Sequence, residues 1–124
     1  MELKYYVCEH CGNIITKVKD SGVPVMCCGQ KMQEIVPGTV DAAVEKHVPV
    51  YEVEDGKVVV SIGAVEHPMT EEHYIEWIDV VTASGIQHKT LTPSDKPQAC
   101  FRLCDGETVE AVYAYCNLHG LWKA

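Results

Sequence analysis

Val48-Pro49-Val50-Tyr51-Glu52-Val53-Glu54-Asp55-Gly56-Lys57-Val58-Val59-Val60-Ser61-Ile62 is the stretch that decides the fold class. Two runs rich in β-branched residues, 48–53 and 57–62, flank Glu54-Asp55-Gly56. Asp-Gly between such runs is a strong hairpin signal, because a tight two-residue turn needs positive φ at both central positions. The same grammar repeats outward. Tyr74 to Thr82 carries Ile75, Trp77, Ile78, Val80 and Val81, and Ile86 to Leu91 follows the Ser84-Gly85 turn. Gln98 to Leu103 and Thr108 to Cys116 are separated by Asp105-Gly106. In the last run Val109, Ala111, Tyr113 and Tyr115 alternate with Glu110, Val112 and Ala114, the period of two that a strand imposes. About six strands at roughly ten-residue spacing predict an antiparallel sandwich or barrel. Helix is scarce: at most Asp41 to Lys46 or Thr70 to His73 makes a single turn.

Residues 1–36 differ from this pattern. They hold four of the seven cysteines and few large aliphatic side chains, and Pro37-Gly38 reads as a turn or short linker to the strand-rich region 37–124. Hydrophobic residues make up 47% of the 124, enough for a core, which argues against a disordered chain. No apolar run approaches the roughly 20 residues that span a bilayer, and the start lacks the basic-then-apolar order of a secretory signal. The net charge of −8 argues against non-specific nucleic-acid binding, which depends on Lys and Arg neutralising phosphates. A disulfide-stapled secreted scaffold is also disfavoured, since the cysteines are odd in number and no export signal accompanies them. With six histidines beside seven cysteines, the composition points to metal.

Cys8-x-x-Cys11 is followed by the adjacent pair Cys27-Cys28 and then Gly29. Four thiolates are a ligand set for tetrahedral zinc or a single iron, and spacing does not separate the two. Neighbouring side chains on a strand point to opposite faces, so Cys27 and Cys28 reach one metal only across a sharp turn. A segment this short buries too little apolar surface to offset chain entropy, which favours a metal staple. A zinc ribbon without chemistry and a redox dithiol are the competing readings.

A second set of residues is spread over the strand-rich region: Glu45-Lys46-His47, His67-Pro68, His73 and Cys116-Asn117-Leu118-His119-Gly120. Each histidine sits at an expected strand end or loop, where a rigid sandwich can bring side chains together. Taken singly, each has a bland reading: a surface histidine, a small core cysteine, a solvated Glu-Lys turn. If four imidazoles and one thiolate converge, five ligands suit an octahedral metal with one open position, which iron accepts and zinc disfavours. Such a site is net positive and draws a small anion, and an axial thiolate alters the fate of a bound oxygen species.

Taken in order, these stretches resemble the two-iron superoxide reductases, the desulfoferrodoxins, over nearly the whole chain. The matching segments are Cys8-x-x-Cys11, Cys27-Cys28-Gly29, Glu45-Lys46-His47-Val48-Pro49, His67 to Trp77 and Tyr115 to Trp122. The resemblance implies a mainly β fold: a small desulforedoxin-like metal-binding domain (1–36) and an immunoglobulin-like antiparallel β-sandwich (37–124). It implies two irons per chain. One is held by Cys8, Cys11, Cys27 and Cys28, as ferric iron or alternatively zinc; the catalytic one, cycling between ferrous and ferric, is held by His47, His67, His73, His119 and Cys116. The four imidazoles would be equatorial and the thiolate axial, leaving the sixth position for superoxide, which is reduced to hydrogen peroxide. Glu45 would occupy that position in the oxidised state, and Lys46 would attract the anion. A rubredoxin-like electron donor, a homodimer and a cytoplasmic setting are also implied. Cys100, Cys104, His10 and His88 fall outside the pattern, with core packing expected for Cys100 and surface positions for the rest.

Three other classes compete. A blue-copper carrier would need a Met after His119 and fewer histidines. A zinc-ribbon interaction module leaves Cys116 and His119 idle. Dismutation would require the metal to oxidise superoxide as well as reduce it.

Overall fold

The computed structural model describes residues 3–124, and these divide into two compact units, 3–36 and 37–124. The first unit is built from very short strands: β1 (Tyr5–Val7), β2 (Ile14–Thr16), β3 (Met26–Cys27), β4 (Gln30–Lys31) and β5 (Gln33–Ile35). β1 lies between β2 and β5 in an antiparallel sheet, and β3 and β4 form a separate hairpin. Its interior is thin. Only Tyr5, Cys8 and Met32 are buried among its described residues, whereas Val18, Val23 and Met26 lie open to solvent. The turn of the β3–β4 hairpin is Cys28-Gly29, with φ of 52° and 74°. Two successive positive φ values make the tight turn that adjacent cysteines require, and glycine takes its share at no steric cost.

The second unit begins with α1 (Val44–His47), a single turn, followed by β6 (Pro49–Glu54), β7 (Lys57–Ile62), β8 (Ile75–Thr82), β9 (Gly85–Thr90), β10 (Gln98–Arg102), β11 (Ala111–Cys116) and β12 (Gly120–Lys123). A three-stranded sheet, ordered β10-β7-β6, and a four-stranded sheet, ordered β12-β11-β8-β9, make an immunoglobulin-like antiparallel sandwich. Asp55-Gly56 closes the β6–β7 hairpin as the sequence predicts. β12 carries no signal in the alternation, because Gly120-Leu121-Trp122-Lys123 is too short to show a period. Between the sheets Val58, Val60 and Ile62 of β7 pack with Ile75, Ile78 and Val80 of β8, Phe101 of β10, and Val112, Ala114 and Cys116 of β11.

Strand register shapes one end of the sandwich in two ways. Ile75 and Ile78 are three apart yet both face the core, because the β8–β11 pairing shifts between Tyr115 and Cys116. Glu76 is the extra residue of that bulge, which brings Ile75 to the core face opposite Cys116, while Cys116 follows Val112 and Ala114 in the ordinary alternation of β11. The pairings Pro49↔Ile62, Cys116↔Ile75 and Cys116↔Gly120 also bring five strand ends together at this end. These are the start of β6, the end of β7, the start of β8, the end of β11 and the start of β12. α1, the loop 63–74 and the β11–β12 turn therefore converge there.

Candidate metal centres

In the first unit, Cys8, Cys11, Cys27 and Cys28 each offer a sulfur, and all four lie within 4.8 Å of one another. The Cys-x-x-Cys turn is closed by Gly12 N–H donating to the Cys8 carbonyl at 2.8 Å, and Cys11 N–H points at Cys8 Sγ at 3.5 Å. Asn13 Nδ2 donates to Cys27 Sγ at 3.6 Å, and the Cys11 and Cys27 sulfurs are 3.7 Å apart. Backbone donation from Cys11, chiefly, lowers the Cys8 thiol to about 6. The Cys28 thiol is pushed up to about 12, first by Cys11 and then by Cys8. Cys27 is raised by the same two neighbours. One thiolate therefore forms readily at Cys8, while ionisation of Cys27 and Cys28 is opposed by their thiol neighbours, which a cation among the sulfurs would relieve.

At the end of the second unit the four histidine rings form a closed cycle. Successive centroids are 4.7 Å apart for His47–His67, 4.6 Å for His67–His73, 5.0 Å for His73–His119 and 4.9 Å for His119–His47. Each of these neighbours meets at between 79° and 89°, whereas His47 and His73 face each other across the cycle at 6.3 Å and 29°. His47, His67, His73 and Cys116 place one ligand atom each within 4.8 Å of the others. His119 falls outside that mutual limit, but its Nδ1 lies 3.1 Å from His47 Nε2 and 3.8 Å from Cys116 Sγ. Cys116 has no exposed surface and belongs to the core cluster. The bland reading of a core cysteine and the ligand reading describe the same atom.

The protons of this cluster can be counted. His47 Nδ1 lies 2.7 Å from the Ala43 carbonyl, and His67 Nδ1 lies 2.7 Å from the Pro68 carbonyl. A carbonyl oxygen only accepts, so each Nδ1 carries its proton and each neutral ring is left with a lone pair on Nε2. Burial keeps the rings neutral, lowering His47 and pushing His67 down to about 4. The two Nε2 atoms nevertheless face each other at 3.2 Å. His73 Nε2 is buried without a hydrogen-bond partner. Lone pairs turned toward one another, with an orphaned nitrogen beside them, are what a shared cation resolves. The donor set fits a metal, and its thiolate with several imidazoles is compatible with iron as well as with zinc or copper.

Glu45 and Lys46 are exposed on α1, directly before the buried His47. Their backbone is held firmly. Val65 N–H donates to the Glu45 carbonyl at 2.8 Å, and a Cβ on Gly63 would stand 2.8 Å from the Glu45 carbonyl oxygen and 2.9 Å from that of Val48. Only a residue without Cβ allows loop 63–74 to approach this turn so closely. After desolvation and the neighbouring histidines, the Lys46 charge further disfavours protons on His47 and His73, so its field reaches the cluster.

Sequence reasoning missed the parts that reside in the backbone or in packing. The Ala43 and Pro68 carbonyls that fix two tautomers carry no side-chain signal. Trp122 packs against His47, tilted by 30° with ring centroids 5.0 Å apart, and donates Nε1–H to the His119 carbonyl at 3.1 Å. His10, His88 and Cys104 are exposed, Cys100 is partly buried, and His88 pairs with buried Asp79 at 2.5 Å.

Comparison with known proteins adds to this geometry. The desulfoferrodoxin family model matches residues 39–124. A desulfoferrodoxin of Syntrophotalea carbinolica is 44% identical over 123 residues, covering 99% of this chain and 96% of its own. The crystal structure of the superoxide reductase from Treponema pallidum matches with a TM-score of 0.84 at 39% identity, covering 100% of this chain and 99% of that one. A one-iron superoxide reductase from Giardia intestinalis is similar over 64% of this chain and 95% of its own, at 35% identity and a TM-score of 0.56.

Proposed function

The chain belongs to the desulfoferrodoxin family, and on that premise we propose that it is a superoxide reductase. The observation that carries the reading is the closed cycle of four imidazoles beside the buried Cys116 thiol, with nitrogen lone pairs turned toward each other. Family membership and this donor set together imply an iron-dependent oxidoreductase. His47, His67, His73, His119 and Cys116 would hold the catalytic iron, and Cys8, Cys11, Cys27 and Cys28 a second iron or a zinc. When bound, iron at the first of these centres supplies one electron to superoxide, which with two protons becomes hydrogen peroxide.

The chain's own residues prepare that event. The protein is net negative, so a superoxide anion is repelled at long range. Lys46, on the exposed turn before His47, supplies the local positive field that brings it in. Glu45 carries a carboxylate beside the same entrance and competes with the anion for it. The Ala43 and Pro68 carbonyls keep the protons of His47 and His67 on Nδ1, away from the reacting side. Core packing around Cys116 keeps water from its thiolate. A rubredoxin-like protein returns the electron, and the chain works as a cytoplasmic homodimer. No helix among the described residues is long and apolar enough to cross a membrane.

The test is a donor-dependent assay on the reduced, iron-loaded chain supplied with superoxide. One peroxide per superoxide without dioxygen is expected. Dioxygen at half the superoxide consumed would mean dismutation, and no acceleration over the spontaneous reaction would remove superoxide as the substrate.

A further inference from the structure

Three of the five candidate ligands of the histidine–cysteine centre come from two turns far apart in sequence: His73 from one, Cys116 and His119 from the other. One side chain joins the two turns. Asn117 Nδ2 donates to the Glu72 carbonyl at 3.0 Å, and Asn117 Oδ1 accepts from Tyr74 N–H at 2.9 Å. The carboxamide thus bonds to the peptide groups on both sides of His73. The backbone N–H of Asn117 donates to the Tyr74 carbonyl at 3.2 Å, extending the β8–β11 ladder one step beyond Cys116. A carboxamide holds a donor and an acceptor at a fixed separation, as a peptide group does, so it can stand in for the next rung where strand geometry has ended.

The turn that carries His73 is shaped internally. Thr70 N–H donates to the His73 carbonyl at 2.9 Å, and His73 N–H lies 3.1 Å from Thr70 Oγ1. Those bonds fix the form of the turn but not its place relative to Cys116. His47 and His67 are oriented through Nδ1 bonds to carbonyls, whereas the buried Nε2 of His73 has no partner. The placement of His73 is therefore a property of the backbone that bears it, and Asn117 anchors that backbone.

We propose that Asn117 is a positioning residue of the histidine–cysteine centre: its carboxamide locks the His73 turn to the Cys116–His119 turn, setting ligands from both in register before metal arrives. The inference rests on the reading that this centre holds a metal. Asn117 touches neither substrate nor metal in this role; it acts through His73.

Two variants of the full, iron-loaded chain test it. Asn117→Ala removes both side-chain bonds. Asn117→Asp keeps the size and the acceptor for Tyr74 N–H but sets a carboxylate oxygen against the Glu72 carbonyl. The readouts are the rate at which a chelator removes iron from the histidine–cysteine centre, and the thiolate-to-iron charge-transfer band and electron paramagnetic resonance of its oxidised form. The four-cysteine centre of the same molecule is the control. Removal should quicken about tenfold to a hundredfold in both variants, with an altered spectrum and unchanged retention at the four cysteines. Rates and spectra like those of wild type would overturn the proposal, as would equal acceleration at both centres, which is the mark of general destabilisation.

A measurement on wild type needs no variant to fold. In metal-free protein the Tyr74 amide should remain protected from hydrogen exchange; exchange at the rate of an exposed amide would overturn the clamp. Failure of wild type to take iron at the histidine–cysteine centre would instead contradict the proposed function, and the Tyr74 amide would still decide the clamp.

Discussion

The two candidate centres are built on opposite foundations. Around Cys8, Cys11, Cys27 and Cys28 the strands are two or three residues long and only Tyr5, Cys8 and Met32 are buried among the described residues. Around His47, His67, His73 and Cys116 stand two sheets with a continuous core, and the candidate ligands lie at the end of strands that would pair without them. On the proposed reading a metal would complete the fold of the first unit. In the second unit the sheets and their core hold the strand ends that carry the candidate ligands, so the geometry can be set before anything binds. This difference suits a division of labour, since a reacting centre gains from ligands positioned in advance whereas a holding site needs only to close.

The largest expected effect tests the first half of that contrast. Cys8→Ser, or stripping the metal, should abolish amide protection throughout 3–36, because metal binding supplies on the order of 10 kcal/mol to modules of this size. Protection in β7, β8 and β11 should persist. If 3–36 stays ordered without metal, the contrast fails. The converse experiment is Phe101→Ala, which truncates a side chain 1% exposed in the sandwich core. It should cost about 3–5 kcal/mol in denaturant melts of the sandwich, while the absorption of the four-cysteine centre stays as in wild type.

A third effect is a pH dependence of the metal-free sandwich. His67 is held at about 4 by burial, below its ordinary 6.5. The unfolded chain therefore takes up a proton first as pH falls, so the stability tied to the neutral ring is complete above about 6.5 and is lost toward about 4. Denaturation midpoints should fall across that window and fall less in His67→Gln, where His47 and His73, also lowered by burial, still contribute. A flat wild-type profile would mean that the ring is not held neutral by the fold.

Gly63→Ala should come next, at about 1–3 kcal/mol, since the new Cβ meets only backbone and the turn bearing Glu45 and Lys46 must move. Its superoxide rate should fall with iron content unchanged; a wild-type rate would show that the position of this turn does not matter. The smallest effect on stability is Lys46→Ala, within about 0.5 kcal/mol. It should slow the reaction with superoxide and weaken its dependence on ionic strength. An unchanged rate would remove the steering role.

Legibility in the sequence divides along the same line. The sandwich is readable because Asp55-Gly56 and the β-branched runs agree on period and turn chemistry, although the turn before β9 is Ala83-Ser84, one residue earlier than Ser84-Gly85, with Gly85 already paired to Thr82. The strands of 3–36 are not readable, because two or three residues show no period. The adjacency of Cys27 and Cys28 calls for a sharp turn if the two are to share a metal, and Cys28 at positive φ makes that turn. The candidate ligands were marked by residue type, whereas their arrangement was not. The bulge at Glu76, the Ala43 and Pro68 acceptors and the approach of Gly63 are tertiary facts. Asn117 stood inside the Cys116–His119 stretch, and nothing in a linear motif shows that its amide reaches Glu72 and Tyr74.

The most direct measurement is iron and zinc per chain in protein purified from iron-replete cells, with each metal assigned to its centre by spectroscopy. Iron in the histidine–cysteine centre of every chain, with iron or zinc at the four cysteines, is the predicted result. Zinc alone, resisting exchange for iron under anaerobic reconstitution, would contradict it and make the chain a metal-stapled binding protein.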